Sequence, residues 1–106
     1  RFFVSEIIRE KIFNNYHQEI PYSSEVVVEE FRESEDIIRI QAVIHVIRES
    51  QKGILIGHKG EKIKKVGIEA RIDSEAFFGK KVFLGLVVKV TKDWRDKSQN
   101  LKKFGY

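Results

Sequence analysis

The sequence predicts an α+β layer fold, a three-stranded mixed sheet with helices packed on one face. Three observations carry that prediction. Apolar residues recur at helical spacing near the start, two β-rich runs flank a polar turn, and a second helical pattern precedes a third alternating run. The first helix is predicted over residues 5–17, with Ser5 as its N-cap and Ile8, Ile12 and Tyr16 along one stripe. Pro21 and its polar neighbours end that segment. Residues 26–31 are β-branched and aromatic, and residues 37–47 place Ile38, Ile40, Ala42, Ile44 and Val46 on one face. Arg39, Gln41 and His45 lie on the other face, which is therefore only half apolar. Ser34, Glu35 and Asp36 between the runs predict an antiparallel hairpin. An apolar run, Ile54-Leu55-Ile56, leads into a glycine turn and then a helix with Ile63, Val66, Gly67 and Ala70 on one face. Glycine costs a helix interior about 1 kcal/mol against alanine, so Gly67 reads as a site of close packing. Gly79-Lys80-Lys81 is a turn, and the last strand alternates Val82, Leu84, Leu86, Val88 and Val90 against Phe83, Gly85, Val87 and Lys89. Residues 93–106 read as a short basic helix.

Composition bounds the function. The 106 residues are 42% apolar and 34% charged with one proline, which fits one folded domain spanning residues 1–106. With no cysteine there is no disulfide, thiolate zinc site or cysteine nucleophile, and the chain leans toward a reducing compartment. No apolar run approaches the ~18 residues of a membrane span. The lack of methionine and the start at Arg1 predict a piece of a longer protein. The net charge of +4 is unevenly distributed. Residues 1–50 carry six Lys/Arg against ten Asp/Glu, and residues 51–106 carry fourteen against six. Such a split points to an anionic partner for the second half.

The motif suited to that partner is Gly57-His58-Lys59-Gly60. Glycines three apart let a backbone approach a ligand where a Cβ would collide. The second glycine opens a helix, whose unpaired N–H groups and positive dipole end favour phosphate. Lys59 adds a full charge, and Lys62, Lys64 and Lys65 extend the field. An isolated Gly-x-x-Gly is more often an ordinary tight turn; the apolar flanks and the lysines favour a nucleic-acid backbone here. Glu61 is expected to face solvent, since it would repel phosphate inside the turn. A nucleotide-binding P-loop is excluded by spacing, because only three residues, not four, separate Gly53 from Gly57 and Glu61 follows Gly60 where lysine would be required. No catalytic or metal residues are assigned. His17, His45 and His58 lie in separate elements without metal-ligand spacing. His17 reads as a helix C-terminal residue, His45 as a strand-surface residue with a base contact as the alternative, and His58 as a phosphate or sugar contact. Glu29, Glu30, Glu33, Glu35 and Asp36 read as a solvated acidic rim.

The run Ile56-Gly57-His58-Lys59-Gly60-Glu61-Lys62-Ile63 resembles the core of a KH domain, and the extra helix and strand before it resemble the type II arrangement. Glu6-Ile7-Ile8-Arg9-Glu10-Lys11, Glu19-Ile20-Pro21-Tyr22-Ser23, Ile68-Glu69-Ala70-Arg71, Asp93-Trp94-Arg95 and Gly105-Tyr106 extend the likeness along the chain to the C-terminal domain of the Era-like GTPases. The resemblance implies single-stranded RNA binding that targets a GTPase to the 3′ end of small-subunit ribosomal RNA during ribosome assembly. Gly57, His58, Lys59 and Gly60 would hold the RNA backbone, with Lys62 and Lys64 beside them. Ile54, Ile56 and Ile63 would form or support an apolar groove, and the strand at residues 37–47 would offer base-edge contacts. Many relatives carry two basic residues where His58 and Lys59 stand. This domain would need no cofactor; GTP and Mg would belong to a GTPase domain outside this chain. The implied partners are ribosomal RNA, the small ribosomal subunit and the chain's own GTPase domain. The implied location is the cytoplasm, with a peripheral contact at the inner membrane as a further expectation. A KH domain of another RNA-binding protein, or a protein-interaction module of the GTPase, are the alternatives.

Overall fold

A computed structural model describes residues 1–17 and 19–91 of the chain. Their order is α1 (Phe2–Asn15), α2 (Glu19–Tyr22), β1 (Ser24–Glu33), β2 (Ile37–Val46), α3 (Glu49–Ile56), a 3-10 turn (His58–Gly60), α4 (Glu61–Phe78) and β3 (Lys81–Val90). The sheet order is β1-β2-β3, with β1 antiparallel and β3 parallel to β2. The sheet is therefore mixed, as the sequence predicts. The β1–β2 hairpin closes where Ser34 donates its N–H and its hydroxyl to the Ile37 carbonyl, at 3.0 and 2.8 Å. Parallel pairing of β2 and β3 needs a long crossover, and α3 and α4 supply it.

Strand alternation fixes the core. Ile38, Ile40, Ala42, Ile44 and Val46 are each at most 1% exposed. Val4, Ile8 and Ile12 of α1, Leu55 of α3 and Val66 and Ala70 of α4 complete the same cluster. Each buried Ile or Leu is worth about 1.5–3 kcal/mol. A register shift between Val28 and Glu30 turns Phe31 toward the helices, where it meets Phe78 at 5.7 Å between centroids. Helices α1 and α4 run antiparallel. Phe3 stacks on Phe77 at 3.8 Å, Lys11 pairs with Asp73 at 2.6 Å, and the Asn15 amide donates to Glu69 at 2.8 Å.

Four sequence expectations need correction. Helix α1 begins at Phe2, so Ser5 lies in its first turn and donates its hydroxyl to the Phe2 carbonyl at 2.7 Å instead of capping the helix. The helix stops at Tyr16, whose backbone is extended, and Pro21 sits inside the short α2. His17 thus follows the helix end. The apolar run Ile54-Leu55-Ile56 forms the last turn of α3, an element missing from the predicted order. Gly67 is not forced by packing, since a Cβ there would meet only Leu86 Cδ1 at 3.6 Å, an ordinary contact. The basic tail predicted at 93–106 lies outside the described residues.

Candidate nucleic-acid interface

The turn between α3 and α4 is built from backbone conformations that side chains disfavour. Gly57 has φ 75° and ψ −179°, a region open essentially to glycine alone, and Gly60 has φ 75° and ψ 13°. Space adds a second constraint at Gly57, where a Cβ would lie 2.8 Å from Cβ and Cγ of Lys62. At Gly60 the conformation alone decides, because nothing lies within 4 Å of a Cβ. Lys59 is left-handed as well, at φ 54°, the one described non-glycine residue with positive φ. A lysine held there costs about 1–2 kcal/mol, and it is exposed together with His58.

Beyond the turn, the first N–H groups of α4 receive no side-chain cap from Gly60, and the positive end of an 18-residue helix faces outward. Lys62, Lys64 and Lys65 are exposed around it, and Glu61 is exposed as expected. Tyr16 braces the turn from behind. Its hydroxyl donates to the Leu55 carbonyl at 2.5 Å, and the Lys62 ammonium lies 5.4 Å from its ring centroid. Burial pushes the Tyr16 phenol up to about 12.

From this corner a groove of about 260 Å³ runs between α4 and β3. Ile63, Lys64, Gly67, Ile68 and Arg71 line one wall, and Leu84 and Leu86 line the other. The floor is apolar, with cations from Lys64 and Arg71 on the helix side; Arg71 is partly neutralised by Glu75 at 3.1 Å. An apolar slot with a cationic, N–H-rich corner can accept unstacked bases while their phosphates stay at the corner.

The structure brings Gly57, His58, Lys59, Gly60, Lys62, Ile63 and Lys64 together at one end of this groove. Ile54 and Ile56 lie on α3 outside the groove lining; Ile56 packs against the core and Ile54 stays exposed. The strand flanking the groove is β3, not β2. Strand β2 is central and its helix-facing side chains are buried, so it has none to offer a base on that side. Gly67, Ile68, Arg71, Leu84, Leu86 and the bracing Tyr16 were not named as site residues from the sequence. The spacing 64, 67, 68, 71 is a helix stripe that could have flagged the first three. Among the described residues no group of three or more His, Asp or Glu could hold a metal ion. No described helix is long and apolar enough to cross a membrane.

This chain belongs to the KH domain family, which matches residues 19–95. It is 54% identical to GTPase Era of Syntrophus aciditrophicus over 108 residues and 55% identical to GTPase Era of Coxiella burnetii over 106. Both alignments cover all of this chain but only 35% and 36% of the relative, so the chain spans about a third of their length. Two solved structures superpose on the whole chain with TM-score 0.88 at 37% identity, each over 36% of its own length. One is an Era variant from Aquifex aeolicus bound to GDP and aluminium fluoride; the other is Era with MgGDPNP and nucleotides 1506–1542 of 16S ribosomal RNA.

Proposed function

We propose that this chain is the RNA-binding domain of an Era-type GTPase and directs that protein to the 3′ end of small-subunit ribosomal RNA during ribosome assembly. The observation that carries this reading is the left-handed turn Gly57–Gly60 set at the mouth of an apolar groove. The relative solved with 16S ribosomal RNA supports the choice of ligand. Gly57, His58, Lys59 and Gly60 hold the RNA backbone, with Lys62 and Lys64 adding charge. Ile63, Ile68, Leu84 and Leu86 face the bases, while Ile54 and Ile56 support the turn from α3. About four unpaired nucleotides fill such a groove.

The domain binds and does not catalyse. Its glycines lack phosphate-loop spacing, so GTP, Mg and hydrolysis fall to the remainder of the parent protein in this reading. That remainder, the small ribosomal subunit and a peripheral contact at the inner membrane are the further partners proposed, within a cytoplasmic protein.

Exchanging His58→Asp together with Lys59→Asp tests the assignment. Both residues are exposed, so the thermal unfolding midpoint should hold while affinity for a single-stranded 16S 3′-end RNA falls by at least a hundredfold. With about three phosphates neutralised, the wild-type log–log salt slope should be near −2, from ~0.7 per phosphate. Undiminished binding by the double variant would sink the proposal.

A further inference from the structure

The face of the sheet opposite the helices carries a patch that the groove does not use. Cross-strand pairing sets Arg39 of β2 beside Phe83 of β3, Gln41 beside Gly85, and His45 beside Lys89. Phe83 is 53% exposed there, and the Arg39 guanidinium carbon lies 6.0 Å from its ring centroid. One pair further along, Gln41 lies flat across the edge strand. A Cβ at Gly85 would overlap the Gln41 amide oxygen and come within 2.9 Å of its Cδ. Glycine at 85 is therefore what lets the amide occupy this surface, two residues from the Phe83 ring on the same face. Arg39, Lys81 and Lys89 are exposed around the patch. The acidic residues Glu25 and Glu30 pair across the sheet on β1. The face is thus basic and aromatic toward β3, while Glu25 and Glu30 on β1 are already engaged by Arg9 and Arg32, each at 2.7 Å.

The patch is continuous with the groove. Strand β3 is the edge of the sheet, with Leu84 and Leu86 in the groove wall on its inner side and Phe83 and Gly85 on its outer side. A chain leaving the groove need cross only the edge of one strand to reach Phe83. We propose that this outer face is a second contact for the same single-stranded RNA, with a base stacked on Phe83, the Gln41 amide available to a base edge and Arg39 to a phosphate. The proposal rests on the groove reading for the identity of the ligand. An exposed aromatic ring beside cations is the usual platform for an unpaired base, and its removal typically costs about tenfold or more in affinity per base.

The test uses the full chain and two RNAs from the 16S 3′ end, one of about four nucleotides that fills the groove and one of about twelve. Wild type should bind the longer RNA more tightly. Phe83→Ala should weaken the longer RNA by about tenfold, leave the shorter one unchanged, and be rescued by Phe83→Trp. Equal binding of both RNAs by wild type, no loss in Phe83→Ala, or an equal loss for both RNAs would each overturn the second contact. The first two outcomes are also those expected if the patch serves a protein. The groove reading fails separately, if His58→Asp with Lys59→Asp leaves the short RNA bound.

Discussion

Gly57 is the residue at which two independent constraints meet. Its φ/ψ combination excludes side chains, and the site where a Cβ would go is held by the Lys62 stem. Gly57→Ala is accordingly expected to cost about 1–3 kcal/mol, lowering the unfolding midpoint by at least about 4 °C and abolishing RNA binding through a displaced α4 terminus. Calorimetry and an RNA titration on the same sample would check both halves. Tyr16 offers a second test at this scale. Burial raises its folded pKa from 10.0 to about 12, so the folded state favours the neutral phenol. The stabilisation is fully present below pH 10 and is lost as pH rises from about 10 toward 12. Tyr16→Phe should be less stable near neutrality, because the Leu55 carbonyl loses its donor. Its stability should then fall less steeply than wild type between pH 10 and 12, which urea titrations at a series of pH values would reveal.

The helices show which parts of the fold local sequence can specify. Strand β2 was legible because five alternating apolar residues admit only one buried face. The hairpin was legible because Ser34-Glu35-Asp36 has no apolar group to bury. Helix α3 was not, because it has only eight residues, carries Gly53 in its middle and ends on Ile54-Leu55-Ile56, which reads equally as a strand. Its start is fixed by the Gln51 side chain, which accepts from the N–H groups of Ile47 and Arg48 at 3.1 and 2.9 Å. A glutamine at the third helical position was the available signal. The turn and its lysines were visible as a motif. The groove was not, because its second wall comes from a strand more than twenty residues after the turn, and only the parallel crossover sets it beside α4. Gly67 belongs to the opposite wall, on α4. Since a Cβ fits there at 3.6 Å from Leu86, Gly67→Ala should gain about 1 kcal/mol of helix stability, seen as a higher unfolding midpoint. The same methyl narrows the groove, so RNA affinity should drop; a variant that gains both stability and affinity would remove Gly67 from the binding surface.

Across the whole molecule, the uneven charge acquires a location. The excess of Lys and Arg after residue 50 is not spread evenly, since four of those lysines fall between positions 59 and 65, at the corner where the N-terminus of α4 meets the left-handed turn. The acidic first half forms α1, α2 and the hairpin, none of whose residues lines the groove. Affinity is therefore expected to reside in the corner and base selectivity in the α4–β3 slot. Amide chemical-shift mapping of the full chain, titrated with an RNA of about four nucleotides, tests this division most directly. Shifts are expected to concentrate at Gly57–Gly60, Ile63, Lys64, Gly67, Ile68, Arg71, Leu84 and Leu86. Shifts confined to α1 or the hairpin, with the Gly57–Gly60 amides unmoved, would contradict it.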